Sequence, residues 1–349
     1  MHIKRSRPIG FGIRKARIDG SRIKVSLPAT DCLVVAVTTP VAPDLAPDIE
    51  RLGRRCTTLM EQGCDGVTLF GTTGEGAEFS VTHRTAALEA VARQIDPACI
   101  IVSAGALPIP DIVALARHSC DQKTAGVLLM PPCVYRGGIT EDGTFRFYAD
   151  VIERIARDDL RLYLYHFPDI CGVPITPTVV RRLDERYPGL IAGVKDSGGN
   201  ADFTEALLRR FSHLSIFTGT EIHVPQVMAS GARGTICGLA NVMPRLMRAM
   251  FDLPSPFERR KLIPFMLAGD NILCRGPFIP SIKAVVADAE GDAEWRRVIP
   301  PMAELPMTEG RRMVEDFRRW DAALPAAWRS LHRDGDAADT NIVALRRKG

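Results

Sequence analysis

The chain has 349 residues, of which 46% are hydrophobic, 25% charged and 6% aromatic, with a formal net charge of +4. This composition is typical of a globular protein with a substantial core, and it excludes a wholly disordered, collagen-like or coiled-coil chain. No segment approaches the roughly 18 to 20 apolar residues of a membrane span, and the N-terminus lacks the apolar core of a secretory signal. We therefore expect a cytoplasmic protein with no membrane partner.

The positive charge is concentrated at the N-terminus. Residues 1–30 contain eight lysines and arginines but one acidic residue, so they carry +7, whereas the remaining chain carries −3. A basic body that binds nucleic acid is therefore not indicated, and we expect no nucleic-acid partner. We interpret residues 1–30 as a basic extension, for which a nucleic-acid, membrane or targeting segment is the alternative.

The nine cysteines are odd in number, widely spaced and contain no CxxC pair. This pattern favours neither a disulfide framework nor a structural zinc site. We expect most of them to be small buried apolar residues.

Short aliphatic and β-branched runs alternate with segments of helical periodicity through most of the chain. The runs predict eight strands, over residues 33–39, 66–70, 99–104, 126–130, 160–167, 190–195, 214–218 and 231–237. The periodic segments predict seven helices, over residues 48–62, 82–94, 112–120, 144–155, 177–186, 201–211 and 223–228.

Evenly apolar strands that alternate with helices imply a parallel sheet joined by right-handed crossovers. Eight such units favour an α/β fold, a closed (β/α)8 TIM barrel over residues 31–252. The alternative is an open doubly wound sheet, but no GxGxxG follows the first strand and no GxxxxGK[ST] occurs. After about residue 243 the strand pattern stops, so we predict a C-terminal helical region and tail over residues 253–349, packed on the barrel or on another subunit.

The reactive groups of such a barrel lie at the carboxyl ends of its strands. The second strand leads into residues 71–76, Gly-Thr-Thr-Gly-Glu-Gly, whose glycines permit a sharp turn and whose N–H groups and hydroxyls could hold a carboxylate or phosphate. The fifth strand ends in residues 163–168, Tyr-Leu-Tyr-His-Phe-Pro, and the sixth in residues 193–197, Gly-Val-Lys-Asp-Ser. These three strand ends contain the candidate site residues.

Lys195 is the strongest single candidate. Desolvation at the end of an apolar strand favours the neutral amine, which can attack a ketone. By position alone, however, Lys195 could equally pair with Asp196 or with another carboxylate at the rim. Tyr165 could likewise be a core aromatic residue whose hydroxyl has a backbone partner.

Together the motifs closely resemble those of the dihydrodipicolinate synthase and N-acetylneuraminate lyase superfamily of Schiff-base aldolases. The resemblance covers residues 31–310. Its most specific parts are residues 71–75, Tyr165 followed by Pro168 and Gly172, and residues 193–196, and it extends to residues 37–40 and 231–241. It implies a (β/α)8 barrel and a homo-oligomer, a homotetramer built from tight dimers.

The resemblance also implies roles for individual residues. Lys195 is similar to the lysine that condenses with pyruvate or another 2-oxo acid, and Tyr165 to the tyrosine that transfers protons. Thr72 and Thr73 match the pair that binds the 2-oxo acid carboxylate, with Thr73 also hydrogen-bonded into the tyrosine relay, and the backbone of Ile236 matches a contact to bound pyruvate. Because a protonated imine is itself a strong electron sink, we expect no cofactor and no metal.

Two positions depart from the family pattern. Ile170 stands where dihydrodipicolinate synthases usually have an arginine that receives the carboxylate of the second substrate, and an apolar side chain cannot form that ion pair. After the fourth strand, the chain reads Pro-Pro-Cys-Val-Tyr over residues 131–135. Tyr135 either replaces the family's inter-subunit tyrosine from a shifted position, or that tyrosine is missing.

Further residues near the predicted mouth have alternative roles. Ser197 matches a hydroxyl residue of relatives that act on sugar-like 2-oxo acids, or it is a loop-stabilising serine. We expect His166, Asp169 and Cys171 to border the mouth and influence specificity. Glu75 is expected to hold its loop rather than to react.

The leading hypothesis is a class I aldolase or lyase that acts on a 2-oxo acid, with an aldehyde as second partner, through an imine at Lys195. A hydro-lyase that dehydrates a sugar-derived 2-oxo acid is an alternative, and so is dihydrodipicolinate synthase itself, which Ile170 disfavours. A non-enzymatic 2-oxo acid binding protein is the remaining possibility. The presence of Lys195, Tyr165 and Thr73 argues against it.

Overall fold

The computed structural model describes residues 26–134 and 137–331. Most of the predicted basic extension, Tyr135 and the end of the C-terminal tail lie outside the described residues. Eight parallel strands form a closed barrel in chain order, which confirms the predicted (β/α)8 fold. The strands are β1 (Cys32–Ala36), β2 (Gly66–Leu69), β3 (Ile100–Ser103), β4 (Gly126–Leu129), β5 (Leu162–His166), β6 (Ile191–Asp196), β7 (Ser215–Thr218) and β8 (Gly234–Cys237).

All seven predicted helices are present between the strands. The helices of the barrel are α1 (Ile49–Glu61), α2 (Val81–Ala92), α3 (Ile109–Asp121), α4 (Glu141–Ile155), α5 (Pro168–Cys171), α6 (Pro177–Arg186), α7 (Ala201–Arg210) and α8 (Val224–Ala229). Several begin at a polar residue whose side chain accepts a backbone N–H of the first turn, as Asp48 does for α1 and Asn200 for α7. The short helix α5 was not predicted.

The strands are buried on both faces, as their apolar sequences require. Side chains that point outward pack against the surrounding helices, whereas those that point inward fill the barrel. The inner cluster includes Val34, Leu128, Tyr163, Phe217 and Ile236. Because the interior is packed, access for a ligand is limited to the carboxyl ends of the strands.

After β8 the chain continues as α9 (Pro244–Asp252), α10 (Pro256–Arg260), α11 (Ile263–Leu273), α12 (Phe278–Glu290) and α13 (Met307–Ala323). Ile282 and Val286 of α12 belong to the same apolar cluster as Leu69 and Phe70 of the barrel. Helix α12 therefore packs on the barrel, which is one of the two predicted positions for the C-terminal helices. In the part of the chain that the structure describes, no helix combines the length and the apolar character that crossing a membrane requires.

All nine cysteines lie in the described residues, and none of them forms a disulfide. Six are buried, as predicted. Burial raises the pKa of the Cys56 thiol to about 12, so this side chain stays protonated at neutral pH and acts as a small apolar group.

Candidate active site

Lys195 and Tyr165 lie side by side because they are register partners on the adjacent strands β6 and β5. Both are buried, with exposed fractions of 5% and 3%. Lys195 Nζ lies 4.2 Å from the centroid of the Tyr165 ring. The amine thus contacts the face of the phenol ring, within strands whose side chains exclude water. The two residues that the sequence singled out therefore form one buried pair at the carboxyl end of the barrel.

The carboxylate of Asp196, the rim partner considered for Lys195, is directed elsewhere. Its Oδ2 accepts a hydrogen bond of 2.5 Å from Thr204 Oγ1, and its Oδ1 accepts one of 2.9 Å from the Gly198 N–H. Asp196 therefore fixes the turn after β6 and the start of α7.

The loop after β2 is held in two overlapping turns. The N–H groups of Gly74 and Gly76 both donate to the Gly71 carbonyl, at 3.0 and 3.2 Å. Thr39 Oγ1 donates a hydrogen bond of 2.7 Å to the Gly74 carbonyl, which ties the loop to the segment after β1. The half-buried side chains of Thr72 and Thr73 are therefore presented from a fixed backbone.

The contact between this loop and the tyrosine differs from the expected one. Thr72 Oγ1, rather than the hydroxyl of Thr73, lies 3.4 Å from Tyr165 Oη, a long hydrogen bond. Thr73 Oγ1 faces the segment after β8 instead, where a Cβ on Gly238 would lie 3.4 Å from it. The tight turn directs the two side chains to different neighbours, and the predicted role of Thr73 in the tyrosine relay stays a prediction.

Ser197 lies directly against Gly219, beside the aliphatic stem of Lys195. A Cβ on Gly219 would approach Ser197 Oγ to 1.9 Å and Lys195 Cε to 3.2 Å, so any larger residue here would displace these two side chains. Ser197 also donates its N–H to the His166 carbonyl at 2.8 Å. The serine is thus next to the lysine and also stabilises its loop, and both predicted roles remain compatible with its position.

His166 is buried at the end of β5, where it is the register partner of Asp196 on β6. Its Nδ1 accepts a hydrogen bond of 3.0 Å from the Ile175 N–H, and its Nε2 lies 4.0 Å from Asp196 Oδ1. The ring stacks on Phe203 with a centroid distance of 4.5 Å. Burial lowers the pKa of His166, against the opposing effect of Asp196 and Asp169. The imidazole is therefore neutral at neutral pH and connects β5 to its following loop.

This environment predicts a pH-dependent contribution to stability. Below the ordinary pKa of 6.5, the unfolded chain binds a proton at His166 more readily than the folded chain does, so the free energy of unfolding falls as the pH falls. A His166→Asn variant, whose side-chain oxygen can still accept the Ile175 N–H, is expected to lose less stability on acidification than the wild type. Urea unfolding at about pH 7 and about pH 5 checks this; equal losses in the two proteins would contradict it.

The remaining predicted residues occupy separate positions. Ile236 is fully buried on β8 inside the barrel. Ile170 lies on α5, directly after β5, and is 38% exposed at the mouth. Tyr135 lies outside the described residues, so its predicted role stays a prediction.

Glu221, which follows β7, was not identified from the sequence. Its Oε1 accepts a hydrogen bond of 3.1 Å from the Leu239 N–H. Burial raises the pKa of Glu221, while the charge of Lys195 acts in the opposite direction. The rule that function lies at strand ends applies equally to residues 218–221, and would have identified this carboxyl group.

Comparison with known proteins shows which family this chain matches. The family model described as "Dihydrodipicolinate synthetase family" matches residues 29–257. A relative from Chloroflexus aurantiacus, an uncharacterized DapA-like lyase, is 33% identical over 221 residues, which cover 63% of this chain and 73% of the relative.

The fold is also similar to that of solved structures. Dihydrodipicolinate synthase from Agrobacterium tumefaciens superimposes with a TM-score of 0.76 at 29% identity, covering 83% of this chain and 99% of that chain. A variant of the 2-keto-3-deoxygluconate aldolase of Sulfolobus solfataricus superimposes with a TM-score of 0.75 at 22% identity, covering 83% and 96%. The second likeness concerns the fold alone.

Proposed function

The chain belongs to the dihydrodipicolinate synthetase family, and on this premise we propose that it is a Schiff-base lyase that acts on pyruvate or a related 2-oxo acid through an imine at Lys195. The observation that carries the proposal is the buried pair of Lys195 and Tyr165, with Thr72 beside the phenol. An amine, a proton donor and a hydroxyl-bearing loop thus converge at the open end of the barrel.

In the proposed reaction, the neutral amine of Lys195 attacks the ketone carbon of the 2-oxo acid. The ketone oxygen takes up two protons and leaves as water, which gives a protonated imine. Loss of a proton from the neighbouring carbon then gives an enamine, which forms a bond to the carbon of an aldehyde, and water finally releases the product from the lysine. We assign the proton transfers of these steps to Tyr165, whose ring centroid lies 4.2 Å from Lys195 Nζ.

The loop that contains Thr72 and Thr73 suits the carboxylate of the 2-oxo acid. Both hydroxyls can donate hydrogen bonds, and the overlapping turns hold them before the substrate arrives. Such donors would fix the substrate with its ketone towards Lys195. The proposed chemistry needs no cofactor.

The acceptor is proposed to be an uncharged aldehyde. Ile170 at the mouth cannot pair with a second carboxylate. In the described residues, the segments between each strand end and the next helix contain no lysine or arginine; the one arginine in these segments of the sequence is Arg136. This charge pattern disfavours aspartate semialdehyde, and with it 4-hydroxy-tetrahydrodipicolinate synthase activity, as well as phosphorylated aldehydes.

Borohydride reduction in the presence of pyruvate tests the imine, because reduction converts it into a stable secondary amine on the lysine. We expect an adduct that intact mass detects and peptide mapping places on Lys195, and no adduct when either reagent is omitted. Turnover is then compared for neutral hydroxyaldehydes, aspartate semialdehyde and phosphorylated aldehydes. Absence of an adduct with pyruvate and with longer 2-oxo acids would refute the proposal, and preferred turnover of aspartate semialdehyde would refute the proposed acceptor.

A further inference from the structure

Glu75 has an unusual backbone conformation for a residue other than glycine. Its φ of 54° lies in the left-handed region, and its side chain is buried in the loop that contains Thr72 and Thr73. Such a conformation costs free energy, and so does a buried carboxylate without partners. Something outside the loop must therefore hold Glu75 in place.

The partners come from the C-terminal region. Lys283, on α12, forms an ion pair with Glu75 Oε1, and neither side chain is exposed to solvent. Glu75 Oε2 accepts a hydrogen bond of 2.8 Å from the Ile299 N–H, and Lys283 Nζ donates one of 2.7 Å to the Arg297 carbonyl. With both carboxylate oxygens engaged, Glu75 is unavailable as an acid or base.

The same helix supports the site at a second point. The ring of Phe278, at the start of α12, lies so close to Gly238 that a Cβ there would approach it to 2.8 Å. The same Cβ position is 3.4 Å from Thr73 Oγ1. Thus α12 contacts the loop through Glu75 and packs against Gly238, the residue that Thr73 Oγ1 faces.

We propose that Lys283 is a positioning residue for the 2-oxo acid carboxylate. Through Glu75 it fixes the loop that carries Thr72 and Thr73, so the C-terminal helices are part of the substrate site rather than an appendage. The inference rests on the proposed function, since it assigns Thr72 and Thr73 to the substrate carboxylate. Lys283 itself does not touch the substrate.

The test replaces Lys283 by methionine, which is similar in length but uncharged. We expect the pyruvate concentration that half-saturates borohydride trapping to rise about tenfold. The reason is that Thr72 and Thr73 would no longer be held in place to donate hydrogen bonds to the substrate carboxylate. The maximal trapping rate at saturating pyruvate is expected to fall less than about threefold, because Lys195 and Tyr165 lie on strands that do not depend on this ion pair. Amide hydrogen exchange of residues 71–79 in the ligand-free protein should become faster.

Two further variants separate positioning from a general loss of stability. Glu75→Gln removes the charge on the loop side and keeps an acceptor for the Ile299 N–H, so it serves if Lys283→Met does not fold. Combining both substitutions leaves no unpaired buried charge, and we expect it to recover part of the pyruvate affinity that Lys283→Met loses. A cavity effect alone would give no such recovery.

Glu290→Gln is the matched control. It removes an ion pair of 2.9 Å between α12 and Arg55 of α1, which is partly buried and does not contact the loop. We expect it to lower the melting temperature while leaving the half-saturating pyruvate concentration and the exchange of residues 71–79 unchanged.

Failure of the inference about Lys283 and failure of the proposed function would give different results. If Lys283→Met and Glu75→Gln retain wild-type half-saturation within twofold, and residues 71–79 exchange as in the wild type, the inference about Lys283 is wrong whatever their stability. If the wild type forms no adduct, the proposed function fails, while faster exchange in the variants would still establish that Lys283 orders the loop.

Discussion

Replacement of Lys195 by alanine is expected to abolish the adduct trapped with pyruvate and borohydride and to lower turnover at least about 10³-fold. The proposed reaction passes through a covalent bond to this amine, which is buried beside Tyr165. The measurement is intact mass after trapping, combined with steady-state turnover of an uncharged aldehyde. Far-ultraviolet circular dichroism and thermal melting should show that the barrel is retained.

Two controls make this result specific. Lys195→Arg places a guanidinium near the ring of Tyr165 but removes the nucleophilic amine, so it should also form no adduct. Lys261→Ala removes an exposed lysine that lies 4.7 Å from the ring of Phe257, and it should trap pyruvate as the wild type does. Trapping of pyruvate on a different lysine in Lys195→Ala would show that the site has been assigned to the wrong residue.

The barrel could be predicted because its strands are buried on both faces and are therefore apolar over their whole length. The boundaries were less predictable. The β-branched residues up to Thr39 suggested a first strand over residues 33–39, but β1 ends at Ala36. Beyond it, the Thr38 N–H donates to Asn241 Oδ1 at 3.0 Å, and not to a neighbouring strand. A hydrogen bond to a side chain that is distant in sequence produces no periodic pattern in the sequence, so this strand end could not be predicted.

The candidate site was predictable where function follows from position at a strand end. Lys195 and Tyr165 lie opposite each other because adjacent parallel strands put them in register. The roles of Thr72 and Thr73 were not distinguishable, since a tight turn lacks the regular alternation of a strand. Lys283 could not be found from the sequence, because its only relation to Glu75 is the packing of α12 against the barrel.

Tyr165→Phe removes the hydroxyl to which the proton transfers are assigned. We expect turnover to fall about 10²- to 10⁴-fold, the range typical of losing a positioned proton donor or acceptor. The Lys195 amine remains, so the adduct should still form with pyruvate, although more slowly. Single-turnover trapping measures imine formation, and steady-state turnover measures the whole reaction.

Tyr163→Phe is the matched control. Tyr163 stands two residues earlier on β5, and its ring packs against that of Phe217 inside the barrel at a centroid distance of 6.0 Å. Removing its hydroxyl should change turnover less than about threefold, because it is placed deeper in the barrel than the reacting groups. Equal losses in both phenylalanine variants would show that the effect is one of packing.

The contact between Thr72 and Tyr165 supplies a more demanding test of the same proton path. If the 3.4 Å contact orients the phenol, Thr72→Val should lower turnover, and combining it with Tyr165→Phe should cost little more than Tyr165→Phe alone. If Thr72 acts only by binding the substrate carboxylate, the two losses should multiply. The double-mutant cycle therefore determines whether the threonine acts through the tyrosine or directly on the substrate.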